Sequence, residues 1–150
     1  MKKLSLYLFL ASMFCNIALA QSSLPECKGS PIIIKKFSLT GGNTATKLKL
    51  GKWKSCYGTL IKKNGSKYVG EFDDGKFSGQ GTYAYDDGTI YEGSFSECRS
   101  HGYGTMKYDN GDVYVGEFVR GKFSGLGKYI FYGGGFDNGI WEKGKLIERL

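Results

Sequence analysis

The chain has 150 residues, enough for one small domain, and carries 21 basic residues against 14 acidic ones for a net charge of +7. It holds a single histidine, His101. With no second histidine and no serine or cysteine in a nucleophile motif, a catalytic triad or dyad is excluded, and the chain reads as non-catalytic.

Residues 1–20 read as a cleavable signal peptide. Lys2-Lys3 precede an apolar run from Leu4 to Cys15, and Ala18-Leu19-Ala20 forms a small-residue cleavage site. Ser5, Ser12 and Asn16 interrupt the run, which falls short of the roughly 20 apolar residues of a membrane span. Cleavage between Ala20 and Gln21 sends the mature chain to the periplasm or outside the cell. Phe14, bulky and directly before Cys15, argues against a lipoprotein signal.

Residues 21–52 form a basic N-terminal arm. Residues 21–67 contain ten lysines and one acid, Glu26, a net +9, whereas residues 68–150 contain nine basic and 13 acidic residues, a net −4. Such asymmetry suggests an anionic partner or docking of one half on the other; a plainly solvated arm is the alternative. Lys35, Lys36, Lys47, Lys49, Lys52 and Lys54 are candidate contacts to an anionic membrane surface, each worth about 1 kcal/mol close to it. Lys47 to Lys54 could also hold a nucleic acid, but export means that none is expected. Within the arm, Pro31 to Leu39 is expected to form one strand that caps the first hairpin, and Thr40 to Asn43 a loop.

From residue 53 a 23-residue period takes over. Tyr68-Val69-Gly70-Glu71-Phe72 recurs as Tyr91-Glu92-Gly93-Ser94-Phe95 and as Tyr114-Val115-Gly116-Glu117-Phe118. Gly79, Gly102 and Gly125 share one phase, Gly81, Gly104 and Gly127 a second, and Gly88, Gly111 and Gly134 a third. A fixed period of this size marks units that bury their apolar faces only by stacking on one another. Units fall at about 53–67 (partial), 68–90, 91–113, 114–136 and 137–150 (truncated). Tyr68, Gly70 and Phe72 alternate with Val69 and Glu71 as in a strand, Asp73 to Lys76 make a tight turn, and Gly79, Gly81, Tyr83 and Tyr85 lie on the return strand. Asp86-Asp87-Gly88 and Asp109-Asn110-Gly111 then reverse the chain. The fold is expected to be all-β, an elongated antiparallel meander of stacked hairpins. Glycines opposite rings leave a floor on which a ring can lie flat, and rings of successive units are expected to form an offset-stacked row. Tyr68, Phe72, Tyr91, Phe95, Tyr114, Phe118 and Trp141 are the expected repeat core. Leu146 to Leu150 closes the array as a last strand or a short helix.

These motifs resemble the MORN (membrane occupation and recognition nexus) repeat, whose pattern is an aromatic-x-Gly-Glu-aromatic strand, a Gly-Lys turn, Gly-x-Gly, an aromatic and a second Gly turn. Residues 68–90 match almost throughout. Residues 91–113 depart at Ser94, at Cys98 in place of the turn glycine, and at Arg99 in place of lysine. The resemblance implies a binding or scaffold role, here toward an unidentified envelope or extracellular protein, with anionic lipid as the alternative partner.

Three cysteines survive cleavage, and an oxidising compartment favours their pairing. Cys56 and Cys98 fall three to four strands apart, about 15 Å at the usual strand spacing, too far for a disulfide. Cys27–Cys56 is preferred, and it is also the pairing that the resemblance to short exported bacterial MORN proteins implies. It would close a loop worth about 3–4 kcal/mol in the chain-entropy model. Cys98, at a hairpin tip, is then left for an intermolecular bridge to a second copy or a partner, or remains a tolerated thiol. Cys98 and His101 are spaced like half a zinc site without a second half, and the Asp clusters lack the ligand spacing of a calcium loop. Gly79-Gln80-Gly81 has no following helix to hold a phosphate. No metal or cofactor is expected.

Overall fold

The computed structural model describes residues 23–33 and 51–150. These form ten strands: β1 (Ile32–Ile33), β2 (Cys56–Ile61), β3 (Lys67–Asp73), β4 (Lys76–Ala84), β5 (Ile90–Ser96), β6 (Arg99–Lys107), β7 (Val113–Val119), β8 (Lys122–Ile130), β9 (Phe136–Glu142) and β10 (Lys145–Arg149). They lie side by side in chain order in one sheet, so every hairpin pairs with the next. All pairs are antiparallel except the first, in which Ile32 and Ile33 run parallel to Leu60 and Ile61. The N-terminal cap therefore exists, but as a two-residue parallel edge strand reinforced by a parallel bridge from Glu26 to Tyr57. The rest of the strand expected up to Leu39 lies outside the described residues, as do the signal segment and the 40–43 loop. The C-terminal cap is a strand, Lys145–Arg149, paired to β9.

Two kinds of turn alternate along the array. One edge of the sheet carries two-residue loops with positive φ at both positions: Asp74 and Gly75, Arg120 and Gly121, Lys143 and Gly144. This is the turn whose twist matches that of the flanking strands. Glu97 and Cys98 adopt the same conformation at φ 50° and 63°, so the second unit keeps the turn and places a cysteine where glycine is favoured. The other edge carries wider turns, closed by a Tyr85 N–H bond to the Thr89 carbonyl and its counterpart from Tyr108 to Asp112. There Asp87 and Asn110 accept from the backbone two residues on, at 2.8 and 3.0 Å, which is why Asp and Asn belong at those positions.

Each unit is built around one tyrosine. Beside Glu71, Ser94 and Glu117 the register shifts by two residues, because the return strand carries two extra residues there in a bulge. The Tyr68 hydroxyl donates to the Glu71 carbonyl at 2.8 Å, Tyr91 to Ser94 at 2.9 Å and Tyr114 to Glu117 at 3.2 Å. To get there the ring lies flat over paired glycines: a Cβ on Gly81 would sit 2.6 Å from the Tyr68 hydroxyl. All seven expected core rings are buried on one face, with Tyr68, Tyr91, Tyr114, Phe72 and Phe118 exposed by 1% or less.

The geometry between rings corrects the expected offset-stacked row. Rings of successive units meet edge to face: Tyr68–Phe95 at 5.0 Å and 84°, Tyr91–Phe118 at 4.9 Å and 77°, Tyr114–Trp141 at 5.4 Å and 85°. Among the described residues true stacking occurs only inside a unit, where Phe77 lies on Tyr68 at 3.8 Å and Phe123 on Tyr114 at 3.6 Å. In the first and third units the glycine floor takes one side of the tyrosine and the unit's own phenylalanine the other, so no flat face remains there for the neighbour. Trp53 starts the row, edge-on to Phe72 at 4.6 Å and donating its indole N–H to the Lys28 carbonyl. Tyr85 falls one residue beyond β4 and is partly exposed rather than part of the return strand.

Candidate functional site

The sheet offers two different faces. The ring face is filled by its own side chains. The opposite face stays open, and period-2 alternation sends to it every residue between the rings. Ile90, Tyr103, Val115, Leu126, Ile130 and Phe136 lie there, between 39% and 67% exposed. They gather toward the C-terminal half: Val113 is paired with Ile130, Ile130 with Phe136, and Leu126 with Ile140. Lys128 lies over the Phe136 ring at 3.9 Å, and the Tyr103 hydroxyl donates to Glu117 at 3.1 Å, so a few polar groups border the apolar strip.

The sequence-derived site residues are dispersed. Cys27 and Cys56 form a disulfide with Cα atoms 5.0 Å apart, tying the segment before β1 to β2. Cys98 is a free, exposed thiol at the β5–β6 tip; its sulfur accepts the Phe77 N–H at 3.3 Å, and its own N–H donates to the Phe77 carbonyl at 3.2 Å. Lys52 and Lys54 are exposed just before β2, and Lys35, Lys36, Lys47 and Lys49 lie outside the described residues. His101 is exposed on β6. Among the described residues no three His, Cys, Asp or Glu side chains come close enough to hold a metal ion. The Asp turns are occupied with their own backbone: Asp112 accepts from the Tyr132 N–H, the Tyr129 hydroxyl and the Asn110 amide, which together hold its carboxyl below the usual range.

The buried phenols are displaced from their ordinary ionisation in one direction. Burial, then the nearby Glu71 charge, pushes Tyr68 far up, and burial raises Tyr91 likewise. Burial, then Glu117, lifts Tyr114 from 10.0 to about 12. These shifts lead away from neutrality, so the hydroxyls stay protonated and serve as donors to the bulge carbonyls. The folded state retains these protons at a pH where the unfolded chain has lost them. The stability that Tyr114 contributes in this way is therefore fully present below pH 10.0 and is lost as pH rises through about 12. Melting temperatures followed across that range should fall steeply; a flat profile would place the phenols in water.

A sheet laid down strand after strand from 23-residue hairpins, each leaning on the last, defines a stacked β-hairpin repeat protein. Comparison with family models finds the MORN repeat over residues 68–90, 91–113 and 114–136, back to back, in the phase of the structural units. Residues 68–136 are three consecutive MORN repeats. MORN repeats are generally protein or lipid interaction modules rather than catalysts. Among curated proteins no match to the chain is found.

Proposed function

We infer that this is an exported, non-catalytic interaction protein whose open sheet face binds another protein of the cell envelope or the extracellular space. The observation that carries this reading is the apolar strip across β7, β8 and β9. Val113, Ile130 and Phe136 adjoin across the three strands, and Leu126 adjoins Ile140, on a face that the fold does not use for its own core, and exposed apolar clusters of this kind mark interaction sites. The Cys27–Cys56 disulfide supports export, because such bonds persist in oxidising compartments.

Affinity capture from the native envelope, with the wild type beside Leu126→Asp/Phe136→Asp, tests the surface. Both side chains are exposed, so the double variant should fold as the wild type does and lose the captured protein. Retention of the same partner at the same yield would remove the open face from the function. An intact mass beginning at Gln21 in the exported fraction tests the localisation.

A second reading, anionic-lipid binding by the basic arm, draws on the exposed Lys52 and Lys54 together with Lys35, Lys36, Lys47 and Lys49. Co-sedimentation with anionic liposomes that is lost at high salt and on charge reversal of Lys47 to Lys54 would favour it.

A further inference from the structure

Cys98 stands where the other tips have Gly75, Gly121 and Gly144, and its thiol is free and exposed. It also lines a cleft of about 440 Å³ that takes in Gly75 and Gly121 of the two neighbouring tips. That volume is within the range of small-molecule pockets. Ser100 lines the same cleft and is only 7% exposed. Its hydroxyl makes no hydrogen bond among the described residues, yet no fully buried side-chain oxygen or nitrogen there lacks a partner. The oxygen therefore keeps access to the cleft. It is 4.0 Å from where a Cβ on Gly121 would stand, so no side chain of that wall closes it off. The cleft thus joins a thiol that can form a covalent bond to a nearly buried hydroxyl that lacks a partner. Of the cations around it, Lys76 is paired with Glu97, whereas Lys62 and Arg99 line the cleft and form no salt bridge among the described residues.

We propose that Cys98 is a site of reversible S-thiolation, taking a small peptide thiol of the glutathione class as a mixed disulfide while the cleft seats the rest of that molecule. Such a thiol brings amide groups for the Ser100 hydroxyl and carboxylates for Lys62 and Arg99. A second copy is the poorer partner for the same sulfur. A two-fold bridge would set Lys62 and Arg99 of one protomer against the same cations of the other. The step is thiol–disulfide exchange. The Cys98 thiolate attacks one sulfur of a small symmetrical disulfide, a new S–S bond forms as the old one breaks, and the departing thiolate takes up the proton that Cys98 released. No net oxidant is consumed. The cleft shares no residue with the apolar strip of β7, β8 and β9, so either proposal can fail without the other.

The test is exchange on the mature protein with its Cys27–Cys56 disulfide intact. The protein is incubated with oxidised glutathione or with cystamine, a cationic disulfide, and the adducts are followed by intact mass. The reference is acetyl-Glu-Cys-Arg-amide, which carries the sequence of the tip without the cleft. Relative to that peptide, the protein should favour glutathione over cystamine about threefold, the worth of one or two screened charge contacts. Lys62→Glu, at an exposed position, should bring the preference down to that of the peptide, and Cys98→Ser should form no adduct. In the glutathione adduct the amide resonances of Ser100 and Gly121 should shift. A protein that ranks the two disulfides as the peptide does would overturn the proposal. So would an adduct that leaves the Ser100 and Gly121 amides in place. A covalent dimer as the main product would overturn it too, and would assign the sulfur to a second copy. The ranking is measured on the wild-type protein, so the result stands even if a variant fails to fold.

Discussion

Replacing Phe95 by alanine is expected to destabilise the fold by about 3–5 kcal/mol, the range for a buried aromatic cut back to a methyl group. Phe95 belongs to the middle repeat and joins it to the repeat before. Its ring lies edge-on to Tyr68 and to Phe77 in the unit before it, and to Tyr91 in its own. Removing it opens a void that the neighbouring rings cannot close, because Tyr68 and Tyr91 are held by their hydroxyl bonds and glycine floors and Phe77 by its stack on Tyr68. Chemical denaturation of the two proteins measures the difference. A change below about 0.5 kcal/mol is the size expected of surface substitutions, and would mean that the ring contributes nothing to the row.

Gly104→Ala is expected to cost about 3 kcal/mol, although it adds one methyl group. A Cβ there would sit 2.4 Å from the Tyr91 hydroxyl oxygen and 2.7 Å from two of its ring carbons. Tyr91 is fully buried, and its hydroxyl is committed to the Ser94 carbonyl. It can move only by giving up that bond and its seat among the rings. Gly133 is the matching control. It stands in the β8–β9 turn with nothing within 4 Å of where its Cβ would be, so Gly133→Ala should be neutral or slightly stabilising. If the two alanine variants melted together, the close approach of ring to backbone would not be a source of specificity in this sheet.

What the sequence made legible was what recurred. Tyr68, Tyr91 and Tyr114 are in phase, and so are the glycines beneath them, and each proved to be one half of the same contact. The hairpins followed from Asp-Gly and Asn-Gly turns repeated at fixed offsets. Phe77 and Phe123 escaped notice because the middle unit has Ser100 in that phase, so the pattern fails at one copy in three. Trp53 lies outside the period and nothing in its neighbourhood marks it as the start of the row. In the first and third units the edge-to-face geometry goes with both sides of the tyrosine being already taken, which spacing alone does not reveal. The open face left no periodic trace either. Val69, Glu92 and Val115 are equivalent in phase but not in character, since no packing rule holds them alike.

The tips of the hairpins add a sense of direction to the molecule. Gly75 donates its N–H to the carbonyl of Trp53, Cys98 to Phe77, Gly121 to Ser100 and Gly144 to Phe123. Every one of these ties reaches back toward the N-terminus, from a unit to its predecessor. Each unit finds the acceptor for its tip in residues that precede it in the chain. The disulfide and Trp53 sit at the end that is synthesised first. A seeded edge at that end would let the hairpins add in order, like layers on a crystal face, each one resting on the one before.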